Sequence, residues 1–131
     1  MIQFKYTILY VPDVTKAITF YEAAFGFERI FISPDNDYGE LQTGPTTLSF
    51  ASETLAESNL PNGFERADAQ QKPFAIELGF VTDDVSAMID KAIAAGGSLY
   101  AAPAVKPWGQ TVAYVRDING FLIELCTPVT H

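Results

Sequence analysis

The first part of the chain changes from strand-like to helical patterning and back again. Residues 4–11 are rich in β-branched and aromatic side chains, which predicts a strand. Pro12 ends that strand, and Asp13 is a predicted N-cap, because its carboxylate can accept a free backbone N–H at the start of a helix. Apolar residues then recur at helical spacing as far as Gly26, which predicts the end of the helix. Three short strands are predicted next, at Glu28–Ser33, Asp37–Gln42 and Thr46–Ala51.

After a polar connection, the same pattern begins again. Residues 52–73 lose the periodicity, whereas residues 74–81 again predict a strand and Asp84 is a predicted helix cap. Asp13 and Asp84 lie 71 positions apart, and so do Gly26 and Gly97, which end the two predicted helices. The remaining strands are predicted at Ser98–Ala102, Thr111–Arg116 and Phe121–Cys126.

The repeat predicts an α+β fold in which two βαβββ modules form an open, curved mixed sheet. Residues 1–131 are expected to form a single domain, with module one at 4–51, a connection at 52–73 and module two at 74–127. Each module buries one sheet face against its helix, so its other face is free to curve around a ligand. Each module is therefore expected to contribute half of a cup-shaped small-molecule site.

Charge and composition exclude several classes of partner. Acidic residues outnumber basic ones by 16 to 8, which gives a net charge of −8 and argues against nucleic acid as a partner. No apolar run is long enough for a membrane helix, and the N-terminus lacks the pattern of a secretory signal. The single cysteine, Cys126, is expected to be a small buried residue in a reducing compartment. The sequence therefore predicts a cytoplasmic protein that binds neither nucleic acid nor membrane.

Several short motifs resemble the vicinal oxygen chelate superfamily, which includes glyoxalase I, extradiol dioxygenases, fosfomycin-resistance enzymes and bleomycin-binding proteins. The resemblance covers nearly the whole chain apart from the middle connection, and it implies the duplicated fold and a homodimer. Its motifs are Tyr10–Val14, Phe20-Tyr21 with Phe25–Phe27, Asp83–Val85, Pro107–Gln110 and Arg116–Leu125.

The resemblance also implies four positions for a divalent metal, on the first and last strand of each module. These positions fall on Tyr6, Ser49, Glu77 and Glu124; a one-residue shift would replace Glu77 by Ile76 but would aim the glutamate at the helix-packing face. Tyr6 and Ser49 are poor ligands for the metals of this superfamily. The only histidine, His131, is at the terminus. No metal or other cofactor is therefore expected; if a metal binds, Glu77 and Glu124 are its predicted ligands.

The two glutamates are the predicted catalytic or cation-binding residues. Neighbouring carboxylates raise each other's proton affinity, so one of them could act as a general base. Alternatively, Glu124 simply faces solvent or a backbone partner.

Four other residues are predicted to contact a ligand, namely Tyr6, Tyr10, Ser49 and Trp108. Ordinary sheet packing is the alternative for the tyrosines, and a dimer interface or structural plug is the alternative for Trp108. Arg116 is expected to pair with a surface acid in preference to anchoring an anionic substrate.

The predicted function is metal-independent binding of a small molecule by a cytoplasmic homodimer, which sequesters a cationic or aromatic compound. The alternative is a glyoxalase-like lyase or isomerase. In that case, Glu77 or Glu124 removes a proton next to a carbonyl, and an added metal or the Tyr6 hydroxyl stabilises the enolate oxygen.

Overall fold

The computed structural model describes residues 1–129; residues 130 and 131, which include His131, lie outside the described residues. The chain divides into two compact units. The first contains Met1–Glu22 and Gly26–Arg66, and the second contains Ala23–Phe25 and the described residues from Ala67 onward. Each unit carries a four-stranded mixed sheet and helix, as the α+β prediction requires.

The first sheet has the strand order β1-β4-β3-β2. β1 and β4 run parallel, and the other neighbours are antiparallel. Its elements are β1 (Tyr6–Val11), α1 (Val14–Phe25), β2 (Glu28–Ile32), β3 (Tyr38–Gln42), β4 (Thr47–Ser52) and α2 (Glu53–Asn59).

Helix α1 covers one face of this sheet. Asp13 caps the helix as predicted, accepting a hydrogen bond from the Lys16 N–H, and Gly26 ends it in the left-handed region at φ 72°. The helix lies close to the sheet at Gly39, and the Tyr21 ring meets the Phe50 ring at a centroid distance of 5.2 Å. The core of the first unit therefore lies between α1 and the sheet.

The opposite face of the first sheet is exposed along part of β1 but buried at Ser49 on β4. Along β1, Leu9 and Val11 are buried, whereas Tyr6 and Ile8 are 43% and 45% exposed. This alternation follows from the period of two in a strand. Tyr6 and Ile8 therefore share a face with the β4 residues beside them, Thr47 and Ser49.

The second sheet repeats the arrangement, with the order β5-β8-β7-β6. β5 and β8 run parallel, and Asp84 caps α3 through the Ala87 N–H. The elements are β5 (Leu78–Val81), α3 (Val85–Ala94), β6 (Ser98–Val105), β7 (Thr111–Arg116) and β8 (Leu122–Cys126).

Two strands of the second unit differ from the prediction by more than one residue. β5 begins at Leu78, four residues later than predicted, because the Ile76 N–H bonds to the Phe74 carbonyl in a tight local turn and not to a neighbouring strand. β6 continues to Val105, past Pro103, with register shifts on both sides of Ala101. Among the described residues, no helix is long and apolar enough to cross a membrane.

Candidate functional site

The open face of the second sheet brings two glutamates together. Glu124, on β8, lies opposite Gly79 on one side and Tyr114 on the other. Glu77 immediately precedes β5 and is two residues before Gly79, so it is a diagonal neighbour of Glu124. Its carboxyl group is close enough to that of Glu124 for the negative charge of Glu124 to raise the pKa of Glu77.

Tyr114 is the third member of this group, which we call the carboxyl pair site (Glu77, Tyr114 and Glu124). The Tyr114 hydroxyl donates to Glu124 Oε1 at 3.1 Å and is also within hydrogen-bond reach of Glu77. Removal from water raises the pKa of Tyr114, and donation to Glu124 raises it further, so the phenol stays protonated. Sequence reasoning missed Tyr114, because closing the predicted strands across residues 117–120 pairs Tyr114 with Ile123, whereas the observed register is shifted by one residue and pairs Tyr114 with Glu124.

The electrostatics of the site favour a proton on Glu77. Partial loss of water around the carboxyl raises the pKa of Glu77, the charge of Glu124 and the hydrogen bond to it raise it further, and the bond to Tyr114 partly offsets this. A carboxyl group next to another carboxylate is costlier to ionise than an isolated one, and here this cost falls on Glu77.

Cys126 lies near the pair but does not provide a nucleophile. It is a buried free thiol, as the sequence predicted. Burial raises the pKa of Cys126 to about 11, and the nearby Glu124 carboxylate contributes in the same direction. The thiolate, which is the reactive form, is therefore scarce at neutral pH.

The open face of the first sheet carries a different group around Ser49. The predicted ligand residue Ser49 is completely buried, and its Oγ lies 3.0 Å from the Tyr38 hydroxyl. Tyr38 also donates to Glu40 Oε2 at 2.8 Å, and burial raises the pKa of Tyr38. Tyr6 influences the same phenol electrostatically, so it lies near this group.

Sequence reasoning missed Tyr38 and Glu40. Glu40 lies opposite Ser49 in the ladder, and Tyr38 is two residues away on the same face. The alternation along β3 was a usable signal, but it needed the pairing of β3 with β4. The exposed Phe31 ring packs on Tyr38 at a centroid distance of 5.8 Å.

The other two predicted ligand residues are held by local contacts. The Tyr10 ring meets Phe64 edge-on, at a centroid distance of 5.0 Å. Trp108 is 65% exposed, and its Nε1 donates to Gln110 Oε1 at 2.8 Å. Both rings are therefore oriented, and the contact of either with a ligand stays a prediction.

The expectation for Arg116 was wrong. Its side chain is buried and does not bond a surface acid; it donates to four backbone carbonyls. The reason is that residues 68–71 of the connection fold back over it, and a forked guanidinium can bond several carbonyls at once. The acceptors are the carbonyl oxygens of Gly120, Asp68, Ala69 and Gln71.

One groove of about 420 Å³ lies in the first unit and is lined by none of the predicted site residues. Its lining is Gln3, Phe4, Lys5, Pro45, Thr46 and Thr47.

Comparison with known proteins assigns the family. The sequence model of the Glyoxalase/Bleomycin resistance protein/Dioxygenase superfamily matches residues 3–125. The chain belongs to this superfamily.

Individual superfamily members are similar over almost the whole chain. A putative lactoylglutathione lyase of Brassica oleracea var. gemmifera is 30% identical over 94% of this chain but only 43% of its own length. A probable lactoylglutathione lyase of Vibrio cholerae is 29% identical, over 92% of this chain and 86% of its own. The chain thus spans less than half of the plant relatives it matches.

A solved structure of a glyoxalase-related enzyme from Fulvimarina pelagi aligns with a TM-score of 0.81. The alignment covers 98% of this chain and 89% of that chain, at 19% sequence identity. At this identity the likeness shows the fold alone.

The donor set does not fit the tightly held divalent metal of the superfamily's enzymes. Among residues 1–129, no group of three or more His, Cys, Asp or Glu side chains could hold a metal ion. Glu77 and Glu124 supply only two neighbouring carboxyl groups, and the Ser49 hydroxyl lies against Tyr38. Two carboxylates with a phenol and a buried hydroxyl are a poor set for zinc, nickel or iron.

Proposed function

We propose that the protein binds a small organic cation at the carboxyl pair site, without a bound metal. The observation that carries this proposal is the direct juxtaposition of Glu77 and Glu124, whose shared neighbour is the uncharged Tyr114 phenol. A bound cation would relieve the repulsion between the two carboxylates and let both ionise. The site therefore gains more from a cation than a single carboxylate would.

Exposed aromatic side chains of the first unit form a separate surface that suits the same class of ligand. In the first unit, Tyr6 and Phe31 expose 43% and 44% of their surfaces on the face that carries Glu40. The Lys5 ammonium lies 5.7 Å from the centroid of the Tyr6 ring, so this ring already accepts a cation. Ring faces attract organic cations by their quadrupole, which favours aromatic amines and quaternary ammonium compounds.

Isothermal titration calorimetry with benzyltrimethylammonium tests the proposal. This probe combines a ring with a permanent charge and carries no exchangeable proton. Titrations at one pH near 6, in two buffers of different ionisation enthalpy, measure the protons exchanged on binding. We expect binding with proton release, because the cation favours the doubly ionised pair.

Three controls make the calorimetry decisive. Benzyl alcohol, which has the ring without the charge, should bind more weakly, and Glu77→Gln should abolish the proton release. Glu28→Gln, at an exposed carboxyl of β2, should leave binding unchanged. Equal binding of the charged and neutral probes, or no binding of either, contradicts the proposal.

A lyase or isomerase is the second candidate, favoured by the names of the relatives, several of which are lactoylglutathione lyases. In this reaction, a carboxylate of the pair removes a proton next to a carbonyl and returns it to the neighbouring carbon. The assay uses the hemithioacetal of methylglyoxal and glutathione, with nickel, zinc or manganese added. If the wild type turns over this substrate and both Glu77→Gln and Glu124→Gln lose the activity, the protein is an enzyme and the binding proposal is wrong.

We also propose a cytoplasmic homodimer whose partner is a small molecule, with no nucleic acid or membrane partner. The single cysteine, which is a free thiol, supports a reducing compartment, and the net charge of −8 supports the absence of a nucleic acid partner.

A further inference from the structure

We infer that Arg116 is a positioning residue for Glu77, which it holds in place through residues 68–77, here called the strap. Glu77 lies outside the ladder of β5, so strand pairing does not fix it. The strap runs from the end of the connection to the first residue of β5. One end is held by Arg116, and the other continues into Leu78, which pairs with Ile123.

The Arg116 side chain binds the backbone carbonyls of the strap. Its Nη1 donates to the carbonyls of Gln71 at 2.6 Å and Ala69 at 3.2 Å, and its Nη2 donates to that of Asp68 at 3.2 Å. Its Nε donates to the Gly120 carbonyl at 2.9 Å, which fixes the guanidinium plane. The strap residues 68–71 are exposed, whereas Arg116 beneath them is only 7% exposed. The contact therefore depends on the forked geometry of arginine and not on the strap side chains.

Gly120 provides the surface on which the strap rests. A Cβ at this position would lie 2.8 Å from Ala69 Cα and 2.9 Å from Ala69 N, and the φ of +94° also disfavours a side chain. The turn that carries Gly120 is itself rigid, because Asp117 Oδ1 accepts from the N–H groups of Asn119 and Phe121. The Phe121 ring continues this support, with its centroid 6.3 Å from that of Phe74 in the strap.

Strand β7 carries one residue that binds the strap and one that belongs to the carboxyl pair site. Arg116 and Tyr114 are two residues apart on β7, so they project from the same sheet face. Tyr114 donates a hydrogen bond to Glu124, the neighbour of Glu77, while Arg116 bonds the segment that leads to Glu77. Strand β7 thus orients both the carboxyl pair site and the strap, which leads to Glu77. The importance of this position for binding rests on the proposed function, whereas the positioning itself does not.

The test uses the free protein, so it is independent of any ligand. Arg116→Lys keeps the charge but loses the fork, and Arg29→Lys, at the half-exposed Arg29–Glu22 ion pair of the first unit, is the matched control. Hydrogen exchange is measured along the chain, and the nuclear Overhauser effect between the Glu77 side chain and the Tyr114 ring reports the position of Glu77.

In Arg116→Lys, we expect exchange within residues 68–77 to rise by about tenfold while β7 and β8 stay protected, and the Glu77–Tyr114 effect to disappear. Gly120→Ala, which pushes the strap from beneath, should give the same pattern if Arg116→Lys fails to fold. Arg29→Lys should change neither signal. An unchanged Glu77–Tyr114 effect, or exchange that rises equally throughout the second sheet, overturns the inference. If these signals behave as expected but benzyltrimethylammonium does not bind, the positioning stands and the proposed function fails.

Discussion

At the scale of single residues, the second unit buries a positively charged side chain and leaves a carboxyl group exposed. Arg116 is enclosed by carbonyl dipoles, whereas the Glu77 carboxyl remains largely in water beside another carboxylate. A charged group enclosed by hydrogen-bond partners stabilises a fixed arrangement. A pair of carboxyl groups with no positively charged partner is instead costly to ionise. This cost can be measured as a pH dependence of the free energy of unfolding.

The Glu77 pair should lower the stability of the protein as the pH rises. The pKa of Glu77 is raised above its ordinary value of 4.5, so between 4.5 and the raised pKa the folded state keeps a proton that the unfolded state has released. Stability is therefore lost as the pH increases through this window. Urea midpoints measured from pH 4 to 8 should show Glu77→Gln gaining stability relative to the wild type as the pH rises. Glu65→Gln, at an exposed carboxyl, should run parallel to the wild type; parallel curves for Glu77→Gln would contradict the pairing.

At the scale of elements, local sequence signals made the helix starts predictable, whereas features that depend on long-range contacts were not predictable. Asp13 and Asp84 were predictable because an N-cap bonds within its own turn. The path of residues 68–71 was not predictable, because Arg116 holds them across a separation of 45 to 48 positions. Glu77 and Glu124 were assigned from the superfamily pattern, whereas Tyr114 needed the strand register.

The two helix caps should differ in strength although they occupy equivalent positions. Asp13 Oδ1 accepts from Lys16 N–H and also from Asn36 Nδ2 at 3.1 Å, and these bonds lower the pKa of Asp13. Asp84 accepts from the Ala87 N–H. Asp84→Ala should cost about 1 kcal/mol, and Asp13→Ala should cost more, by about the strength of one further hydrogen bond.

The difference between the caps has a defined pH dependence. Because the pKa of Asp13 is lowered, its stabilisation is present above the ordinary value of 3.8 and is lost as the pH falls through the lowered pKa. Thermal unfolding at pH 7 and pH 2.5 should therefore show a smaller cost of Asp13→Ala in acid. A cost equal to that of Asp84→Ala at pH 7 would show that Asn36 adds nothing.

The packing of α1 on the first sheet depends on the missing side chain of Gly39. A Cβ there would lie 2.5 Å from Ile18 Cδ1 and 3.1 Å from Val14 Cγ1. Gly39→Ala should destabilise the protein by about 1–3 kcal/mol, as overpacking typically does. Ile18→Val removes the colliding methyl group, so the double variant should be more stable than the sum of the two single changes predicts, by about 1 kcal/mol. Strict additivity in denaturant unfolding would place the strain elsewhere.

At the scale of the whole molecule, strong negative charge is combined with an uncharged sheet edge. The net charge is −8 over 131 residues, yet the edge strand β6 contains no charged residue. Leu99, Tyr100 and Val105 on this strand are 45%, 51% and 74% exposed. Exposed apolar edges favour association, while Pro103 removes a backbone donor and so limits edge-to-edge pairing. We therefore expect β6 to contribute side-chain contacts to the proposed homodimer.

The net charge determines whether salt strengthens or weakens the association of the proposed homodimer. Bringing together two chains of −8 costs free energy that salt screens, since the Debye length falls from about 30 Å at 10 mM to about 8 Å at 150 mM. Sedimentation equilibrium should give twice 14.3 kDa, with tighter association as salt increases. Val105→Glu should weaken the dimer, most strongly at low salt, because it adds charge to an apolar contact. Ile30→Glu, which makes the same change on β2 of the first unit, should have little effect. A monomer at every salt concentration, or a dimer weakened by Ile30→Glu but not by Val105→Glu, would exclude β6 as the interface.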